Sequence, residues 1–233
     1  LDSSVAVVAR LQGAALRYGT AAEVLRDVDL TISAGSFQFL VGPSGAGKTS
    51  LLRLLGLAHR PSAGRLALFG REVTTLSTEQ RDRLRRRIGF IYQDLRLIDE
   101  LSVLDNAALP LRLAGVEDGK AASHARMLLS WLGLGEVVAA APTRLSMGQR
   151  QIVAAARAVV CRPGLLLADE PTSYLDPELA ARLMRLFREL TKVGTAVLLA
   201  THSRELVARH PAPVLRIAAG RLTPPLAARP LAA

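Results

Sequence analysis

Cysteine is almost missing from this chain: Cys161 stands alone among 233 residues. A single cysteine excludes an intramolecular disulfide and suits a reducing compartment; at the end of an apolar helical run it reads as a small core residue, not a nucleophile. Lysine is scarce as well, present only as Lys48, Lys120 and Lys192, so the formal charge of +10 is carried by arginine. A basic balance favours anionic partners, nucleic acid or a lipid surface, without choosing between them. Long apolar runs are also absent. Half of the residues are hydrophobic, yet no run approaches the ~18 uninterrupted apolar residues of a spanning helix. Residues 1–10 hold no basic segment ahead of their apolar residues, so no signal peptide is expected. There is no internal repeat. What remains is a length sufficient for one α/β domain with a sizeable core.

Within that length one stretch stands out. Gly42-Pro43-Ser44-Gly45-Ala46-Gly47-Lys48-Thr49-Ser50 reads G-x-x-x-x-G-K-T, a phosphate-binding loop. The apolar run 37–41 before it predicts a buried strand, and the run 50–57 after it predicts a helix. Glycines let backbone N–H groups turn inward onto phosphates, where a Cβ would collide. The following helix aims its positive dipole end at the same place. Lys48 can neutralise β- and γ-phosphates, and the Thr49 hydroxyl is placed to ligate Mg²⁺. A glycine-rich turn with a chance lysine would not come with both strand and helix.

Taken in order, residues 5–11 predict an edge strand, Arg17-Tyr18-Gly19 a turn, and 24–32 an alternating strand. Residues 65–69 predict a short strand, 78–87 a charged helix, and 88–92 a strand ending in Gln93. From 94 to about 161 apolar residues recur at helical spacing, at 103–113 and 121–132; this predicts a helical subdomain inserted into a sheet core. Residues 164–168 form a fully apolar strand. Pro177 opens a helix with Asp176 as its cap. Residues 196–201 predict a buried strand, 203–209 a short helix and 214–222 a last strand. The Pro/Ala-rich tail 224–233 is expected to be mobile, leaving 1–223 as a single domain.

Two more stretches carry chemistry. Residues 165–170, Leu-Leu-Leu-Ala-Asp-Glu, are an apolar strand ending in two carboxylates. That strand is expected beside the one leading to the phosphate loop, with Asp169 near Mg²⁺ and Glu170 placed to hold or deprotonate an attacking water. Leu145-Ser146-Met147-Gly148-Gln149 sits at the head of a helix. Together with the loop, Gln93, Asp169-Glu170, Ser173-Tyr174-Leu175-Asp176 and His202, it resembles the ATP-binding cassette (ABC) ATPases over nearly the whole chain. The resemblance implies an α/β fold: a nucleotide-binding domain with a P-loop sheet core, an antiparallel β part and an inserted helical subdomain. It implies ATP and Mg²⁺ as ligands, and hydrolysis of ATP to ADP and phosphate.

The same resemblance assigns roles. Residues 42–50 bind phosphates, Tyr18 stacks on adenine and Val24 contacts it. Thr49, Gln93 and Asp169 serve the metal; Glu170, His202 and Gln93 serve catalysis. Ser146, Gly148 and Gln149 bind the ATP of an opposite subunit, and Asp176 belongs to a loop crossing a dimer, so a homodimer on ATP binding is implied. Tyr18 in a turn is equally readable as packing. Met147 replaces a glycine of the family's signature, and Tyr174 stands where many relatives have a small residue.

Several stretches further resemble the FtsE group of cell-division cassettes, above all Arg85-Arg86-Arg87-Ile88-Gly89 and Gln93-Asp94-Leu95-Arg96-Leu97-Ile98. This implies an FtsX-like integral membrane subunit as partner, a peripheral position on the cytoplasmic face of the bacterial inner membrane, and control of cell-wall hydrolysis. Lipoprotein-release and macrolide-export cassettes share much of the pattern. The expected contact is a groove where Leu95, Leu97 and Ile98 are exposed around Arg96. Without a long coiled-coil insertion or a tandem second copy, nucleic acid is not expected as a partner, and the basic run 81–87 reads as a solvated helix face or a patch near anionic headgroups.

Overall fold

The computed structural model describes residues 6–20 and 22–226. Two sheets meet at the phosphate loop. The smaller is antiparallel, in the order β2 (Glu23–Ser33), β1 (Val7–Arg17), β4 (Ala63–Leu68), β5 (Arg71–Glu72). The larger has the order β10 (Arg221–Leu226), β9 (Val214–Ala218), β3 (Phe37–Val41), β8 (Ala196–Ala200), β7 (Leu165–Asp169), β6 (Ile88–Ile91). Within it β9, β3, β8, β7 and β6 run parallel and β10 returns antiparallel.

The central strands are buried on both faces, which is why they read as continuous apolar runs and not as alternating ones. Alternation is still present in where they pack. Leu166 and Ala168 of β7, with Val197 and Leu199 of β8, face one core. Leu165, Leu167, Ala196, Leu198 and Ala200 face the other. The first core is covered by α3 (Val103–Leu113), α4 (Asp118–Trp131), α5 (Met147–Val159) and α6 (Pro177–Lys192). The second is closed by the antiparallel sheet and α1 (Lys48–Leu55). Helices α3, α4 and α5 pack on one another between the expected limits at Asp94 and Cys161. Short helices α2 (Thr78–Arg85) and α7 (Arg204–Arg209) complete the chain.

Local chemistry sets the boundaries. Ser77 and Gln80 form a capping box on α2, as do Ser146 and Gln149 on α5; each satisfies backbone donors that a helix start leaves open. Asp176 Oδ1 accepts from the Leu179 N–H at 2.9 Å, with Pro177 in the first turn of α6, as the sequence predicts.

Four expectations are corrected. The first strand is not at an edge: β1 lies between β2 and β4, because Ala9, Arg10 and Leu11 pair with both neighbours, and residues 12–17 extend the strand. The strand ending in Asp169 does not lie beside β3; β8 is inserted between them. A crossover connection can return to either side of a strand, and sequence order does not say which. The helix after the loop starts at Lys48, not Ser50. Finally, residues 214–222 are not one strand but part of a hairpin, β9 and β10, turning at Ala219-Gly220. Pro224 and Pro225 therefore belong to β10 and not to a tail; an edge strand tolerates the missing N–H groups. The remainder of the expected tail, 227–233, lies outside the described residues.

Candidate functional site

The loop between β3 and α1 is built by backbone geometry. Gly47 has φ 108°, a conformation open to glycine, and it opens α1 without any side-chain cap. A Cβ there would press on Leu25 Cδ2 at 3.0 Å and on the Val24 carbonyl at 3.2 Å, so the start of β2 lies against the loop. The far side is held by the β9–β10 turn, whose Gly220 N–H donates to Ala46 O at 3.1 Å. Lys48 Nζ lies over the loop, donating to Gly42 O at 2.7 Å and Pro43 O at 3.1 Å. Pro43, Ser44 and Gly45 are exposed, while Ala46 and Gly47 are buried.

At the end of β7, Asp169 is 3 % exposed and lies beside the Thr49 hydroxyl. Burial pushes its carboxyl pKa up; Thr49, Lys48 and Arg53 oppose that, and the neighbouring Glu170 reinforces it. Glu170 has φ 49°, a left-handed backbone costing a non-glycine residue about 1–2 kcal/mol. The surroundings fix it there: its N–H donates to Ala200 O at 2.9 Å and Thr201 Oγ1 donates to its Oε2 at 3.0 Å. His202 Nδ1 lies 2.7 Å from its Oε1. A carboxylate only accepts, so Nδ1 carries the proton and Nε2 is left as the free position of a ring that is 73 % exposed.

Thr49, Gln93 and Asp169 line one cavity of about 320 Å³ together with Arg53, Phe90, Tyr92, Asp94 and Tyr174. This joins the three residues expected at the metal. A hydroxyl, a carboxylate and an amide carbonyl are the oxygen donors a hard cation takes.

The other expected residues are placed as follows. The Tyr18 hydroxyl donates to Ser50 Oγ at 3.1 Å, and its ring meets His59 edge-on at 5.0 Å; it is half-buried beside α1, between base platform and packing. Ser146, Gly148 and Gln149 do not line the cavity of Thr49 and Asp169. Their helix start rests on the following loop instead: a Cβ on Gly148 would come 2.8 Å from Tyr174 O.

Three residues escaped the sequence reading. Arg53 lines the cavity one helical turn after Thr49, and i,i+4 spacing on α1 was the signal that could have found it. Tyr174 lines it too, although it was noted only as a bulky replacement. Arg157 of α5 donates to Leu95 O at 2.7 Å and Arg96 O at 2.6 Å. Leu95 and Arg96 are consecutive left-handed residues, φ 57° and 51°, so Arg157 holds the strained turn just after Gln93. Nothing in the local sequence announces that contact.

Residues 25–173 match the family described as ABC transporter. The chain belongs to the ABC transporter family. As such a cassette it is an ATPase that binds ATP. It is 46 % identical over 185 residues to lipoprotein-releasing system ATP-binding protein LolD 2 of Caulobacter vibrioides, covering 78 % of this chain and 81 % of that one. With cell division ATP-binding protein FtsE of Escherichia coli K12 it shares 40 % identity over 200 residues, 86 % of this chain and 90 % of the other. The solved cassette MJ0796, in a dimeric structure, superposes with a TM-score of 0.88 at 29 % identity, covering 96 % of this chain and all of that one. The same protein bound to ADP and Pi in a post-hydrolysis state superposes at 0.87, also with 29 % identity and 96 % of this chain covered.

Proposed function

We propose that this cassette is the ATP-hydrolysing subunit of a membrane complex of the FtsE type, working with an FtsX-like integral membrane protein at the cytoplasmic face of the bacterial inner membrane. Mg²⁺ is held by Thr49, Asp169 and Gln93 with the nucleotide phosphates. Lys48 and the loop amides bind those phosphates, Glu170 activates water, and His202 orients Glu170. Two copies close on two ATP molecules, each offering Ser146, Gly148 and Gln149 to the other's nucleotide and bringing the loop of Asp176 across. The observation carrying this reading is that Thr49, Gln93 and Asp169 line one cavity at the end of the phosphate loop; the α5 helix start, whose Ser146, Gly148 and Gln149 are not among its lining residues, is assigned to the nucleotide of a second copy. Dimeric MJ0796 supports it.

The partner surface is narrower than the sequence implies. Leu95 is 3 % exposed and Leu97 packs on the first core, leaving Ile98 at 38 %. Leu95 turns inward because the left-handed pair at 95–96 reverses the chain over α5. Beside Arg96 lies a groove of about 400 Å³ lined by Gly56, Ala58, Arg85, Ile88, Phe90 and Tyr92; its apolar floor and two arginines fit a short amphipathic segment with an acidic residue. Among the described residues no helix is long and apolar enough to cross a membrane.

A second reading, release of lipoproteins, is favoured by the 46 % identity to LolD 2. The deciding experiment is purification of the tagged cassette from membranes of its own bacterium and identification of the integral membrane protein that comes with it. Recovery of an FtsX-like protein supports the first reading; a lipoprotein-release permease supports the second. Recovery of neither overturns both. The double variant Arg96→Glu, Ile98→Asp is expected to lose the partner.

A further inference from the structure

The basic run on α2 folds into a cluster that the nucleotide site does not use. Arg81 and Arg85, one helical turn apart, both donate to the Leu57 carbonyl, at 3.1 and 2.6 Å. Arg60 faces the same place: after burial, Arg60 and Arg85 are what push the Arg81 guanidinium pKa down. Arg81 Nε is buried and has no hydrogen-bond partner among the described residues. The acids of α2 do not balance these charges. Glu79 pairs with Arg83, and Asp82, which faces Arg81, is already paired with Arg85 at 3.3 Å. A guanidinium cannot shed its proton to relieve the repulsion. A bound anion relieves it, as salt does in part.

We infer that Arg60, Arg81 and Arg85 form a binding site for the phosphate of an anionic lipid headgroup. Arginine suits this role because its planar fork grips phosphate oxygens in pairs, where lysine offers a point charge. The surroundings favour a lipid as the source of that phosphate. Arg85 also lines the groove beside Arg96, so the cluster stands on the rim of the surface assigned to the membrane subunit. A cassette docked through that groove holds the cluster near the headgroups, where the negative surface potential attracts basic side chains. The inference rests on the membrane-complex reading for where the cassette sits, and adds a contact to the lipid itself. None of the three arginines lines the cavity of Thr49 and Asp169, so the site is separate from the metal end.

The test is flotation of the purified full chain with vesicles, at fixed salt and without any membrane subunit. Wild type is expected to float with vesicles of mixed phosphatidylglycerol and phosphatidylcholine and not with pure phosphatidylcholine. Arg60 is exposed, so Arg60→Gln is expected to melt as wild type does. It is expected to bind the anionic vesicles about fivefold more weakly, the ~1 kcal/mol that one arginine near such a surface supplies. Arg83→Gln removes the same charge from the same helix, but at a residue outside the cluster and paired with Glu79; it is expected to bind as wild type does. Equal losses in the two variants overturn the site, because binding would then follow net charge alone. Wild type that ignores anionic vesicles overturns it too. Release by inorganic phosphate, at an ionic strength where sodium chloride releases nothing, overturns the lipid in favour of free phosphate. Arg60-dependent binding to duplex DNA that exceeds vesicle binding at equal phosphate and salt overturns it in favour of nucleic acid. Failure in any of these ways leaves the membrane-complex reading standing, since that reading is tested separately by co-purification of the integral membrane protein.

Discussion

Glu170 is held by three groups that sequence distance hides: Ala200, Thr201 and His202 all come from the end of β8. Its strained backbone persists because those contacts over-determine it. Glu170→Gln keeps an acceptor for Thr201 but loses the anion that His202 faces and the base that water needs. Turnover is expected to fall by about 10²–10⁴, the usual contribution of a positioned general base, with nucleotide binding retained; steady-state phosphate release beside nucleotide titration checks it. Lys48 acts differently. Its ammonium donates to two loop carbonyls, which sets a cation over the loop. Lys48→Ala is expected to weaken ATP binding by roughly 1.5–3 kcal/mol, the worth of a charge-assisted hydrogen bond. Calorimetric titration with MgATP checks this, and wild-type affinity would remove Lys48 from the phosphate site.

At the scale of elements, the joint between β6 and α3 carries more of the site than either end does. Arg157 spans from α5 to the carbonyls of Leu95 and Arg96, and Asn106 of α3 ties down Ile98 through both its N–H and its carbonyl, at 2.9 and 2.8 Å. Gln93 sits just before this clamped segment. Burial lowers the Arg157 guanidinium pKa. Arg157→Ala leaves two carbonyls without their charged donor and is expected to cost about 1.5–3 kcal/mol of stability. It should also lower turnover more than ATP affinity, because Gln93 moves while the loop does not; denaturant melts with kinetics check both. The start of α3 supplies a pH test. Asp105 is held below the usual aspartate range, first by the Ser102 hydroxyl, with Arg112 adding to it. A lowered folded pKa gives stability that is full above the unfolded value and lost as pH falls through the folded one. Wild type is therefore expected to exceed Asp105→Asn in stability near neutral pH, the gap closing as pH falls below the usual aspartate range; melts from pH 7 to 3 read it.

For the whole molecule, the proposed mechanism turns the head of α5, joined to the cavity of Thr49, Asp169 and Gln93 through the loop at Tyr174, toward the nucleotide of a second copy. Glu170→Gln with MgATP is accordingly expected to elute as a dimer on size exclusion and as a monomer without nucleotide. Elution at the monomer position in both conditions would contradict the two-copy mechanism.

Most of the chemistry was legible in the linear chain because it is carried by short contiguous segments. The phosphate loop, the strand ending in Asp169-Glu170, the capped helix at Ser146 and the Asp176-Pro177 helix start each contain their own local cause: glycine freedom, apolar runs, capping side chains. Strand neighbours were not legible, since β8 separates β3 from β7 through a crossover that no local propensity encodes. Nor were the burial of Leu95, the reach of Arg157 to it, or the pairing of Glu170 with His202. Each depends on which surfaces face one another after packing, a long-range property. Sequence by itself determined the glycine-rich loop, the strand that carries Asp169 and Glu170 and the capped helix starts; the tertiary structure decided how those side chains are held, because the contacts that fix a side chain's orientation come from segments distant along the chain.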